Sequence, residues 1–171
     1  AARSHELADQ AYTAGKYRGC VLPYRIDRDE FIRVPVDRQK MASLLPAFVD
    51  SGSVTAATSS PLTDGATLGF VVSRSQWLCS DPSYGLEILD VSVGHVSPDV
   101  MGLGPIPATR QLLDRNQLKV EDIQCWEINE AFAIQVLACT HELNINLDQV
   151  NQWGGALAVG HPLGASGLRL L

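Results

Sequence analysis

The chain has 171 residues, 46% hydrophobic and 19% charged, enough to bury the core of one domain or parts of two. Its formal net charge of −6 argues against a nucleic-acid binder, though it leaves room for a local cationic pocket. No apolar run approaches the about 20 residues of a membrane span, and the acidic stretch from Ala1 to Tyr12 lacks a signal-peptide core.

Ala1 to Ala14 reads as a helix with Leu7, Ala8, Ala11 and Ala14 on one face, Ser4 as a candidate cap and Gly15 as its end. Cys20 to Pro23 is a short extended piece. Arg25 to Lys40 is dense in charge and reads as a solvated excursion, its cations either surface decoration or a phosphate-binding edge. Met41 to Leu45 is a short helix closed by Pro46. Ser51 to Pro61 is a run of small residues against which a ligand can lie close to backbone. Asp64-Gly65 is a turn, and Ala66 to Val72 a buried strand.

Arg74 to Tyr84 reads as a junction with a turn at Asp81-Pro82, followed by a strand over Gly85 to Val93. After the Gly/Pro loop Val100 to Pro107, a helix runs to Arg115. Gln124 to Ile128 is a third strand. Asn129 then suits an N-cap and Glu130 the first turn of a helix completed by Ala131 to Leu143. The second half therefore alternates strand and helix, an α/β pattern.

The densest chemical signal is Asn151 to Gly167. Five glycines surround His161, Pro162 fixes the chain direction after it, and Gly164 to Gly167 lead into a closely packed helix. A histidine on such a loop suits proton transfer or oxyanion stabilisation. The four cysteines show no CxxC spacing, which speaks for reduced thiols and against zinc. Cys125 and Cys139 fall in apolar, core-like stretches. His5, His95 and His141 match no motif and read as surface or structural.

These pieces resemble the thiolases, enzymes that form or cleave 3-oxoacyl-coenzyme A thioesters. The resemblance is carried by Gly52 to Ala56, Thr63 to Ala66, Met101 to Pro105, Asn129 to Ala133 and Gly154 to Gly167, in order and at family-like spacing. It implies part of a layered αβαβα thiolase fold. Residues 1–60 would be a partial coenzyme A-binding loop domain, 61–75 the last strand of the N-terminal domain, and 76–171 a truncated C-terminal domain.

The resemblance implies that His161 activates a nucleophilic cysteine and donates to the thioester oxygen, while Asn129 holds a water completing that oxyanion hole. It implies that Arg33 lies near the adenine and 3′-phosphate end of coenzyme A. Ala56 and Ser60 would line the pantetheine arm, and Met101, Ala131 and Phe132 the reactive end. Neither the nucleophilic cysteine nor the second cysteine, in its Cys-x-Gly-Gly-Gly setting, is present, so the chain reads as a central-to-C-terminal fragment, inactive alone. Thr58 and Pro61 depart from the Asn and Gly often found there, and Cys20 replaces a frequent Glu.

The implied activity is acyl transfer through a cysteine, by thiolysis of 3-ketoacyl-CoA in fatty-acid β-oxidation or by synthesis of acetoacetyl-CoA. Acyl-CoA and CoA would be substrates, with no cofactor and no metal. A homodimer or homotetramer in the cytoplasm is expected, with the mitochondrial matrix or peroxisome as eukaryotic alternatives. A non-catalytic acyl-CoA-binding protein on the same fold is the competing reading. A decarboxylating condensing enzyme generally uses histidine where Asn129 stands. From the residues alone, a plain cap is the stronger reading of Asn129, and Arg33 is as readily a surface residue.

Overall fold

The computed structural model describes residues 1–24, 26–80 and 85–171. The expected turn at Asp81-Pro82 and the first charge of the excursion, Arg25, lie outside them. Among the described residues, seven α-helices follow in order: α1 Ala2–Thr13, α2 Arg38–Ala42, α3 Arg74–Cys79, α4 Pro105–Asn116, α5 Ala133–Leu143, α6 Ala156–Val159 and α7 Leu163–Leu170.

Helix α5 anchors the main core. Val136, Cys139 and Leu143 recur at three- and four-residue spacing, so they share one face. They pack with Ile106 of α4 and with Ile145 and Val150, while Leu103, Val120, Trp126 and Ile128 cover the edges. Asn144 takes a left-handed conformation at the end of α5, returning the chain so that Ile145 N donates to Thr140 O. A second contact joins α1 to α6, with Ala8 and Ala11 buried on the one and Ala156 to Ala158 on the other. Arg3 on α1 donates to the carbonyls of Val150 and Leu147 at 3.0 and 2.7 Å, tying that helix to the main core.

The expected strands do not form ladders among the described residues. Residues 66–72 and 85–93 have neither helical nor ladder hydrogen bonds and are largely exposed, Leu68 at 85% and Phe70 at 88%. Strand propensity is satisfied only by a neighbouring strand on which the side chains can pack, and no such neighbour is described beside either segment. Each is instead held by side chains. Thr67 Oγ1 donates to Ala165 O of α7 at 3.1 Å. Arg115 grips Asp90 with two nitrogens, at 2.7 and 2.6 Å. The Asn116 amide and then Arg115 hold the Asp90 carboxyl below the usual carboxylate range.

The third expected strand is realised as one parallel bridge between Trp126 and Val150. Alternation explains a misplaced residue here: Trp126 and Ile128 turn toward the core, which leaves Cys125 exposed rather than buried. Cys139 is fully buried as expected, and burial pushes its thiol pKa up.

Helix starts also differ in detail. Ser4 does not cap α1, whose N-cap is Ala1. The short helix after the charged excursion begins at Arg38, because the Asp37 carboxylate accepts from Lys40 N at 2.9 Å.

Candidate active site

The Asn129 side chain does not cap a helix. Helix α5 begins only at Ala133, with Phe132 as N-cap. Asn129 and Glu130 instead sit on the extended step that follows the Trp126–Val150 bridge. Asn151 fixes that step. Its backbone is left-handed (φ 47°), and its side chain extends the bridge as another peptide group would. Oδ1 accepts from Ile128 N and Nδ2 donates to Ile128 O, both at 2.8 Å.

From this step Asn129 reaches the glycine loop, with its Nδ2 3.3 Å from Nε2 of His161. On the other side of the ring, Nδ1 lies 2.7 Å from Ser166 Oγ, and that hydroxyl donates to Pro162 O at 3.1 Å. With the Ser166 proton on that carbonyl, the tautomer that carries its proton on Nδ1 donates to Oγ and leaves Nε2 as an acceptor facing the Asn129 amide. Asn129 Oδ1 is buried and meets no donor among the described residues.

The loop itself is held tightly. His161 N donates to Pro61 O at 3.2 Å. Gly160 has φ 88°, and a Cβ there would collide with Thr63 Oγ1, so both conformation and contact require glycine.

The same few residues gather the reactive-end candidates. Ser60 N donates to Ala131 O at 3.0 Å, and Ser59 bridges Phe132. Phe132 meets Phe48 edge-on at 6.2 Å, a partner that no sequence motif marks. Ala56 lies in a 3-10 turn, Ala56–Thr58, four residues before Ser60. Met101 is exposed on the 3-10 segment Pro98–Leu103, which rests on α5 through the Cys139 thiol donating to Gly102 O at 3.3 Å. Arg33 is separate: its side chain is exposed and its backbone N donates to Nδ1 of His5 at 3.3 Å. His5 is buried, which lowers its pKa, with the charge of Arg33 acting in the same direction.

Glu130 has no role at the start of α5. Its buried carboxylate turns away from Asn129 toward Ser4, Asn151 and the backbone of Leu157. Sequence reasoning missed Ser4, Asn151 and Ser166, because each acts through a contact that spacing does not display.

Residues 1–75 match the family model "Thiolase, N-terminal domain" and residues 85–171 match "Thiolase, C-terminal domain". A 3-ketoacyl-CoA thiolase of Hahella chejuensis is 43% identical over 99% of this chain and 47% of its own length. The acetyl-CoA acetyltransferase of Bacillus anthracis superposes with TM-score 0.87 at 35% identity, over 98% of this chain and 45% of that one. Human mitochondrial 3-ketoacyl-CoA thiolase in complex with CoA superposes with TM-score 0.88 at 30% identity, over 98% and 44%. The chain spans about half the length of the curated relatives it matches.

Proposed function

Because the chain belongs to the thiolase family and has part of the layered α/β thiolase fold, we propose that the full-length protein is an acyltransferase that cleaves or forms 3-oxoacyl-CoA thioesters through a cysteine. The observation that carries this reading is the 3.3 Å approach of Asn129 Nδ2 to His161 Nε2.

In the degradative direction, Nε2 of His161 takes the proton of a cysteine thiol supplied by residues outside this chain. The thiolate attacks the 3-oxo carbon, the C2–C3 bond breaks, and the acyl group stays on sulfur. The electron pair leaves as the enolate of acetyl-CoA, which a second cysteine protonates at carbon. Charge develops on the thioester oxygen, and His161, now protonated, donates to it. Asn129 completes that oxyanion hole through a water. An Oδ1 that meets no protein donor suits the holding of that water. The CoA thiol then gives its proton to the second cysteine and its sulfur attacks the acyl-cysteine, so that the shortened acyl-CoA leaves and the freed cysteine thiolate takes its proton back from His161. Synthesis of acetoacetyl-CoA is the reverse sequence, and neither direction uses a cofactor or a metal.

In this reading Ala56 and Ser60 line the pantetheine arm, and Ala131 and Phe132 the reactive end to which it leads. The contact of Ser60 with Ala131 supports it. Met101 lines the far side of the reactive end, and Arg33 faces the adenine and 3′-phosphate. The exposed apolar segments around Phe70 and Leu89 favour a chain completed by further polypeptide and by a second copy, as a homodimer or homotetramer. The unpaired cysteines fit a reducing compartment such as the cytoplasm, and fatty-acid β-oxidation is the pathway that 3-ketoacyl-CoA cleavage serves.

Mass spectrometry of the full-length protein incubated with 3-oxoacyl-CoA tests the reading. An acyl-cysteine adduct that is lost in His161→Ala is expected. CoA binding with no adduct would replace this reading with that of a non-catalytic acyl-CoA-binding protein.

A further inference from the structure

Glu130 is 6% exposed, and no cation pairs with it among the described residues. Its carboxylate accepts three hydrogen bonds: from Ser4 Oγ at 2.6 Å, from Asn151 Nδ2 at 3.1 Å and from Leu157 N at 3.1 Å. Ser4 is itself fixed, since its oxygen accepts from Gly155 N at 2.9 Å. Gly155 lies so close to the carboxylate that a Cβ there would collide with Glu130 Cδ.

A glutamine of the same shape would not serve. Leu157 N is a backbone donor and cannot reverse. The Asn151 amide cannot flip, because Ile128 N and Ile128 O fix both of its ends. Whichever way the new amide of Glu130→Gln pointed, its NH2 would face one of these two donors. The site demands acceptors on both sides, which a carboxylate supplies.

The consequence reaches the reactive pair through covalent geometry. Glu130 directly follows Asn129, and the residues it grips, 155–157, open the short helix that delivers Gly160 and His161. We propose that Glu130 is a positioning residue, required as a carboxylate and completed by Ser4, that sets Asn129 against His161. This rests on the thiolase reading of that pair.

The test is steady-state thiolysis of acetoacetyl-CoA by the full-length protein, comparing Ser4→Ala and Glu130→Gln with His161→Ala. A loss in kcat of about 10-fold is expected for Ser4→Ala and about 100-fold for Glu130→Gln, with KM changed less than about 2-fold, because the pair is displaced while the binding surface is kept. Should Glu130→Gln fail to fold, Ser4→Ala decides alone. Wild-type kcat in a folded Ser4→Ala, or kcat lost only in step with the folded fraction, overturns the positioning role and leaves the thiolase reading intact. Wild-type turnover in His161→Ala overturns both.

Discussion

The amide nitrogen of Asn129 and Nε2 of His161 lie 3.3 Å apart although the residues are 32 positions apart in the chain. In the proposed reaction both act on one thioester oxygen, so their effects are not independent. Alanine at either position is expected to lower kcat by about 100- to 1000-fold. The double variant should lose little more than the worse single one, since removing one member of a cooperating set already disables it. Thiolysis kinetics of both singles and the double check this, and fully additive losses would mean the two residues act on separate steps.

Gly155 and Gly164 give opposite expectations for the same substitution. At Gly155 an added Cβ would press into the Glu130 carboxylate, while at Gly164, inside α7, it would meet nothing within 4 Å. Gly155→Ala should lower the melting temperature of the full-length protein. Gly164→Ala should be neutral or raise stability by about 0.5–1 kcal/mol, the ordinary helix preference of alanine over glycine. A Gly155→Ala protein that melts with the wild type would remove the close-packing argument for the Glu130 contact.

The buried His5 makes stability depend on pH in a defined sense. Burial first, and then the positive charge of Arg33, hold its pKa below the ordinary 6.5. The unfolded chain therefore takes up the proton before the folded one does. The contribution is fully present above pH 6.5 and is lost as pH falls from there toward the folded-state pKa. Asparagine at position 5 offers an uncharged acceptor to Arg33 N. Denaturation midpoints at about pH 7.5 and about pH 5.5, on either side of the ordinary histidine pKa, should accordingly separate more for the wild type than for His5→Asn.

The 171-residue chain expressed alone should not turn over 3-oxoacyl-CoA, since the proposed mechanism takes its nucleophile from outside these residues. The bare apolar segments make a companion expectation. Leu68, Phe70, Leu86 and Leu89 are each more than 70% exposed, so the isolated chain should bind a hydrophobic dye that full-length protein excludes. Replacing Leu68 and Phe70 by serine should reduce the dye signal. Turnover by the isolated chain at the full-length rate would contradict the first expectation, and dye binding unaffected by the two serines the second.

Much of the helical framework was legible because it depends on local periodicity. Helices α1 and α4 fall within about two residues of where apolar periodicity, proline and glycine place them, and α5 ends at Leu143 as expected but starts three residues later than a cap at Asn129 requires. Asn129 and His161 were legible through the motifs that surround them, although Asn129 is on an extended step and not at a helix cap. Strands were the failure. The apolar run in residues 66–72 shows what a strand could be made of, but its neighbour is a property of the whole chain. Ser4 was equally illegible. Its hydroxyl reads as a cap from nearby residues, whereas its partner, Glu130, is 126 positions away.

That separation has a consequence for recombination between relatives. Ser4 lies in the region matching the N-terminal family model, and Glu130, Asn151 and Gly155 in the region matching the C-terminal one. A chimera joined between residues 75 and 85 inherits the two halves of one hydrogen-bonded clasp from different parents. Parents that fill position 4 or 155 differently would then yield a hybrid whose sequence is native on either side of the crossover and whose His161 is out of register with Asn129. Position 4, as much as the glycine loop itself, decides which parents can be crossed there.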